Sequence, residues 1–449
     1  MVAAAAPVVG SVARRRKILH LALPIIGGMI SQNVLNLVDT GMVGTLGDEA
    51  LFAVGLGGFL NFLLTAFILG LGAGVQAMAA RRVGEGRDDA TAVPLNGGIV
   101  LAIASALPLS ALLVFLAPRF VPFMSDDPAV VAACVPYLQA RLVAMTAMGI
   151  NYSFRGYWNA TDRSTLYMGT LIVMHVSNIA LNWVLIFGNL GAPALGATGA
   201  GVASAIATWI GTLSYFALGF VHARGSGFLR GLPDRETLVT MLRLAVPAGM
   251  QQFFFAAGMT LFITFIGRVG TSEAAASKVI IDIMLLGILP GLGFGLAAAS
   301  LVGQALGRDD AEDAERWGWD VVRLAAAVVG VVALPAILVP DLLLSVFLHD
   351  PGTLALARWP LRLVALFLAT DTIGSVLMNA CVGAGDTRRV MVVSVALQWL
   401  LLLPAVWVIG PLLGGSLLAI WAANVFYRQL QSVVFVGLWR KGAWKRVRV

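Results

Sequence analysis

Gly70-Leu71-Gly72-Ala73-Gly74 followed by Gly86-Arg87-Asp88-Asp89-Ala90, and Gly291-Leu292-Gly293-Phe294-Gly295 followed by Gly307-Arg308-Asp309-Asp310-Ala311, are one block written twice in a chain of 449 residues. Both parts of the block are displaced by 221 positions (295 − 74 and 307 − 86). A period near half the chain length exceeds any solenoid repeat and indicates two homologous halves folded against each other. Further pairs follow at nearly the same shift. Pro24 matches Pro247, Gly44-x-x-Gly47 matches Gly267-x-x-Gly270 and Asp127-Pro128 matches Asp350-Pro351 at 223, and Asn159-Ala160-Thr161-Asp162-Arg163 aligns with Gly383-Ala384-Gly385-Asp386-Thr387 at 224. Any one small-residue motif can arise from close helix packing; collinearity at one offset cannot. The aspartates of the block read as helix-start residues, where a carboxylate suits the dipole.

A soluble domain carries about 25% charged residues, whereas this chain has 12% charged and 59% hydrophobic residues and a mean hydropathy of +0.89. Apolar runs of the roughly 20 residues that a helix needs to cross a bilayer recur twelve times, near 18–44, 51–80, 93–117, 130–155, 165–190, 196–222, 240–266, 274–304, 320–348, 354–382, 388–411 and 414–440. The expected fold is therefore an all-α integral membrane protein. Its twelve transmembrane helices form two six-helix lobes, and an even number per half gives both halves one orientation, related by a pseudo-two-fold axis along the membrane normal. This divides the chain into an N-terminal segment 1–17, a first lobe 18–222, a linker 223–239, a second lobe 240–440 and a basic tail 441–449. The cavity between lobes is the expected transport path.

The first run follows Arg14-Arg15-Arg16-Lys17, is too long for a signal-peptide core and lacks an Ala-x-Ala exit, so it reads as an uncleaved first span. Basic residues then place both termini in the cytoplasm. Arg81, Arg82 and Arg87, then Arg224, Arg230 and Arg235, then Arg308 and Arg316, then Arg388 and Arg389, and finally Arg440, Lys441, Lys445, Arg446 and Arg448 all fall on that side. The other side offers scattered cations such as Arg119, Arg268 and Arg358. Orientation and anionic lipid account for the pI near 9.8, so a nucleic-acid partner is not needed. Cys134 and Cys381 lie in apolar runs and read as inert small hydrophobes rather than a disulfide. No phosphate-loop, His-Glu-x-x-His, Gly-x-Ser-x-Gly or Cys-x-x-Cys motif occurs, which argues against ATP use and against an enzyme. His20, His175, His222 and His349 are scattered and make no metal cluster.

Val38-Asp39-Thr40-Gly41-Met42-Val43-Gly44-x-x-Gly47 and Ala53-Val54-Gly55-Leu56-Gly57 resemble the first-span signature of the multidrug and toxic compound extrusion (MATE) family. Val302-Gly303-Gln304-Ala305-Leu306-Gly307 and Gly383-Ala384-Gly385-Asp386-Thr387-Arg388 resemble two of its second-half motifs. The resemblance covers nearly the whole chain. It implies twelve helices in two lobes and efflux of organic cations, driven by inward movement of protons or sodium.

A carboxylate at mid-bilayer costs about 2.5–3.5 kcal/mol on insertion scales, so each needs a reason. Asp39 stands seven residues after Gln32 and three after Asn36, giving one polar helical face. Asn178 and Asn182, one turn apart in the fifth span, form a second polar pair. The two could meet and hold a proton or a sodium ion, with Asp39 and Asn178 as a possible sodium site; the alternative is ordinary interhelical hydrogen bonding. The resemblance places a coupling aspartate at Asp39 and an asparagine at Asn178. Where the family often has an aspartate this chain has Asn182, which leaves fewer charges for sodium. Asp371 opens Thr370-Asp371-Thr372 in the tenth span, and the seventh span, with Gln251-Gln252-Phe253-Phe254-Phe255, supplies no partner carboxylate. Asp371 is thus expected to act alone, as a substrate counter-charge or proton acceptor. Asp282, one turn after Lys278, reads as an internal ion pair. Neutral His175 is expected to bond a nearby helix, and Arg141 is given no role by the sequence.

Gln32, Asn36, Met259, Phe254, Met284 and Met378 are candidate walls of a cavity for cationic amphiphiles, with Met29 and Phe253 beside them, because methionine and aromatic faces repack around varied ligands. Each apolar member reads equally as core. Pro24, fifteen residues before Asp39, is a candidate hinge, since proline frees a backbone carbonyl. The expected activity is secondary active export of small organic cations by alternating access. It needs no cofactor beyond the coupling ion and works as a monomer in a plasma membrane, a bacterial inner membrane by its residue usage. A lipid-linked sugar flippase of related architecture is the rival, and it would need a basic cavity, toward which Arg141 points.

Overall fold

The protein is described by a computed structural model covering residues 11–447 and 449; residues 1–10 of the N-terminal segment and Arg448 of the basic tail lie outside the described residues. Helices make up the fold, with no strand among the described residues. In chain order they are α1 (Ser11–Gly44), α2 (Asp48–Gly84), α3 (Val93–Phe123), α4 (Pro128–Val143 and Met145–Ala160, meeting at a 46° bend), α5 (Ser164–Phe187) and α6 (Gly196–His222). The second set is α7 (Arg235–Gly267), α8 (Thr271–Gly307), α9 (Ala311–Leu338), α10 (Pro351–Gly383), α11 (Thr387–Leu412) and α12 (Leu417–Lys441).

Ten of these are long and apolar enough to cross a bilayer, and bent α4 makes an eleventh. The last, α12, is long enough at 25 residues, but Asn424, Arg428, Gln429 and Gln431 interrupt its apolar run. One boundary differs clearly from expectation. The run placed at 320–348 is a helix from Ala311 to Leu338, because Asp310 caps its start by accepting from the Asp313 N–H at 2.8 Å and Pro340 disfavours helix at the residue before it.

Apolar burial separates the halves, with one exchange. A first core gathers Leu95, Ile99, Leu138, Phe154, Trp158 and Tyr215 from α3 to α6. A second gathers Phe294, Val302, Trp317, Val376, Phe435 and Trp439 from α8 to α12. Yet Ile18, Leu21 and Ala22 at the start of α1 belong to the second core, while Met241, Leu244 and Ala245 at the start of α7 belong to the first. The three pairs stand 223 positions apart (241 − 18, 244 − 21, 245 − 22). Each half therefore lends the beginning of its first helix to the other.

The ends of α2 and α8, where the doubled block begins its second part, make the seam between halves. A methyl group on Gly84 would overlap the Gln304 carbonyl and come within 2.8 Å of the Gly307 Cα, and one on Gly307 would overlap the Arg81 carbonyl and come within 2.9 Å of the Gly84 Cα. Gly84 lies two residues before Gly86 of the first copy and Gly307 opens the second, so the contact joins the neighbourhoods of the two copies. Beside them Gln76 Nε2 donates to the Leu296 carbonyl at 2.8 Å and to Ser300 Oγ at 2.9 Å. Polar contacts cross at the same end: Arg14 reaches Asp313 and Asp320 at 2.5 Å each, and Lys17, paired with Asp162 at 3.1 Å, donates to Gln304 Oε1 at 3.0 Å.

Overpacking a closed contact costs about 1–3 kcal/mol. Gly84→Leu is therefore expected to pry the seam open and raise maleimide labelling of a Ser300→Cys reporter by on the order of tenfold. Unchanged labelling would show that the backbones do not need to touch.

Candidate functional site

At the opposite end of α1 and α2 from the seam lies a cavity of about 630 Å³. It is walled by α1, α2, α4, α5 and α6, with Leu289 and Leu292 of α8 as its contribution from the second half. Helical spacing brings Gln32, Asn36 and Asp39 to the same wall, as expected of residues seven and three apart. Gln32 Nε2 donates to Asn36 Oδ1 at 3.2 Å, and Gln32 Oε1 lies 3.2 Å from His175 Nε2. The histidine is thus bonded across to a neighbouring helix.

Asp39 is met by α5. Asn182 Nδ2 donates to Asp39 Oδ1 at 2.6 Å. The structure brings Asp39, Asn178 and Asn182 together: Asn182 Nδ2 donates to the carboxylate and also to Asn178 Oδ1 at 3.0 Å, and turning the Asn178 amide over would bring its nitrogen to 2.9 Å from the same Asp39 oxygen. Sodium coordination needs several converging oxygens. Asn182 Oδ1 is left buried without a partner, a single oxygen, and among the described residues no cluster of three carboxylate, histidine or cysteine groups could hold a metal. The Asn182 amide gives Asp39 the surroundings of a hydrogen-bonded carboxylate, with Asn178 beside it.

Asp371 does not act alone. Its Oδ2 accepts from Arg428 Nη2 of α12 at 2.6 Å, and Arg428 Nη1 also approaches Gln431 Oε1 at 3.4 Å. The pairing corrects the expectation of a lone counter-charge, and its cause is general: a guanidinium inside a membrane fold needs a carboxylate. Tyr427-Arg428-Gln429-Leu430-Gln431, a polar run inside an apolar segment, was the available signal. Lys278 and Asp282 form the expected pair, with Nζ 2.6 and 2.7 Å from the two oxygens.

Met259, Phe254, Met284 and Met378 do not line this cavity, whereas Met29 does. Met284 is buried in an apolar core of the second half and Met259 packs against it. Met378 Sδ approaches Gln251 and Ser394, at 3.5 and 3.6 Å. Phe254 packs edge-on against Trp399 at 5.6 Å. The reason is that α11 closes on α7: Trp399 Nε1 donates to the Phe254 carbonyl and Gln398 Nε2 to the Phe255 carbonyl, both at 3.2 Å.

Pro24 lies within α1, which continues as helix through it. A proline at 24 leaves the His20 carbonyl without its helical donor. Ser164 Oγ, at the start of α5, faces the carbonyls of Leu21 at 3.1 Å and His20 at 3.5 Å. Sequence reasoning missed Ser164, and no local pattern marks it. It also missed Arg155, which lines the cavity with Arg141 and sits over the Tyr152 ring at 4.7 Å.

Relatives agree with this architecture. A probable multidrug resistance protein NorM of Pasteurella multocida is 26% identical over 395 residues, 87% of this chain and 85% of its own. One of Thermotoga maritima is 25% identical over 442 residues, 96% of this chain and 94% of its own. A solved structure described as the outward-facing conformation of a multidrug resistance MATE family transporter superposes with a TM-score of 0.87 at 20% identity, covering 97% of each chain. The MatE family model matches twice, over residues 24–184 and 247–408. The chain is a multi-pass membrane protein that belongs to the MatE family, whose members are transporters and not enzymes.

Proposed function

We propose that the protein is a proton-coupled exporter of small organic cations, working as a monomer by alternating access of two six-helix lobes. The observation that carries the coupling is the Asp39 carboxylate held by the Asn182 amide nitrogen, with Asn178 beside it, on the wall of the first-half cavity. A proton arriving at Asp39 removes the charge that amide solvates, and the contact between α1 and α5 loses its strongest hydrogen bond. A cationic cargo loses its counter-charge in the same event. Release on one side is thereby tied to proton entry from that side.

The lobe assignment, 18–222 against 240–440, is supported by the double family match, whose copies start 223 positions apart (247 − 24), and by the residue-for-residue exchange between α1 and α7. Twelve crossings, with the short N-terminal segment, the linker 223–239 and the tail 441–449 on the cytoplasmic side of a bacterial inner membrane, follow from the basic residues at that end. In this frame the glycine seam is the inner gate. The names of the relatives support multidrug compounds as cargo.

Proteoliposomes with pH and sodium gradients imposed separately test the coupling. Wild type is expected to extrude a cationic dye against a proton gradient alone, and Asp39→Asn, which keeps shape but cannot ionise, to lose at least about 90% of that flux, or more than 1.4 kcal/mol of coupling. Full efflux by Asp39→Asn, or drive by sodium alone, would overturn it.

Pro24 is proposed as the hinge of α1, with Ser164 satisfying the carbonyls it releases. Pro24→Ala restores a donor to the His20 carbonyl and is expected to slow efflux while raising the melting temperature. Normal flux by this variant would remove the hinge from the account.

A further inference from the structure

Several arginines of this fold are satisfied by carboxylates or by backbone carbonyls: Arg81 donates to the Val447 carbonyl at 3.0 Å and Arg82 to the Ala90 carbonyl at 2.9 Å. Arg428 holds Asp371 at 2.6 Å, and Arg14 bridges Asp313 and Asp320 at 2.5 Å each. Arg141 departs from that pattern. It lines the first-half cavity, its Nε is buried with no hydrogen-bond partner, and it forms no salt bridge among the described residues. Arg155, further along α4, lines the same cavity over the Tyr152 ring and also has no carboxylate partner among the described residues.

Charge in the cavity wall is therefore unbalanced. Asp39 is its one carboxylate, facing two guanidiniums, so with His175 neutral the wall carries a net charge of +1 (2 − 1). The Asp39 oxygen nearest α5 is already engaged by the Asn182 amide and is not within salt-bridge reach of either arginine. A guanidinium withdrawn from water gains most from an anion, and its planar fork matches the two oxygens of a carboxylate or the oxygens of a phosphate. Tyr137, Tyr152 and Tyr167 add aromatic faces to the same wall, suited to a flat apolar body. A site built only for cations would place no free arginine here, since like charge would oppose the cargo.

We propose that Arg141, assisted by Arg155, is an oxyanion subsite of the cavity, and that the preferred cargo is a zwitterionic amphiphile with its cationic centre toward Asp39 and its oxyanion on Arg141. This rests on the export reading above and narrows its substrate class.

Rhodamine 6G and its free acid form a matched probe pair, since they share one cationic chromophore and differ by an ethyl ester against a carboxylate. Fluorescence anisotropy on the purified full chain in phosphatidylcholine nanodiscs is expected to show the acid binding at least tenfold more tightly than the ester. Arg141→Gln should weaken the acid on the order of 10- to 100-fold, the range of a charge-assisted hydrogen bond, and leave the ester unchanged or improved. Arg141→Lys, which keeps the charge and loses the fork, should fall between. Equal affinities in wild type, a preference for the ester, or no binding of the acid overturns the proposal, and this wild-type ratio decides even if a variant fails to fold. Repeating the titration in phosphatidylglycerol nanodiscs separates the two sources of oxyanion: if the advantage of the acid disappears there, Arg141 belongs to a lipid phosphate and the cargo proposal falls. Binding is read without transport, so an absence of efflux for both dyes would count against the export reading and not against the subsite.

Discussion

Contact between two backbones at Gly84 and Gly307 is the constraint from which the rest of the structure follows. Neither position leaves room for a side chain, because each would overlap a carbonyl of the opposite half. The cavity lies toward the other end of α2, where α8 contributes Leu289 and Leu292 to its lining. The exchange of Ile18, Leu21 and Ala22 for Met241, Leu244 and Ala245 also joins the halves. The start of α1 packs with the second half while its later part carries Asp39 in the first, so a displacement between halves would bend or tilt α1. Pro24 stands between those two ends.

Against this near-symmetric frame the chemistry is unequal. Phe262 occupies the position 223 after Asp39 and is fully buried, packed edge-on against Trp421 at 5.5 Å. Val364 occupies the position 223 after Arg141. In the second half Asp371 and Arg428 neutralise each other, as do Lys278 and Asp282, and Arg362 donates to the Ile337 carbonyl; in the first half Asp39 and Arg141 share a cavity without pairing. A closed ion pair offers nothing to a ligand or proton, whereas separated charges of opposite sign do. The working site is therefore assigned to the first half.

Much of this was legible in the sequence, and the reasons are particular. The repeat was visible because two glycine triplets and Gly-Arg-Asp-Asp-Ala recur at one offset. The polar face of α1 was visible because Gln32, Asn36 and Asp39 obey helical spacing, and Asn178 and Asn182 announced a partner face on α5. Partners supplied by distant segments were not visible. Arg428 reaches Asp371 across 57 positions and Ser164 reaches Leu21 across 143, and no local pattern encodes either. The apolar cavity residues failed for a different reason. Met259, Met284 and Phe254 have the composition of a pliable wall and of an ordinary core alike, and only the closure of α11 on α7 decides between them.

A distance across the glycine seam tests the account most directly. Spin labels at Glu85→Cys and Arg308→Cys, exposed residues flanking Gly84 and Gly307, with Cys134 and Cys381 replaced by alanine, report that distance by double electron–electron resonance. The account predicts a short and a long population whose ratio shifts between low and high pH in the wild type and stops shifting in an Asp39→Asn background. A single short distance under every condition, or a pH response that survives Asp39→Asn, would contradict it.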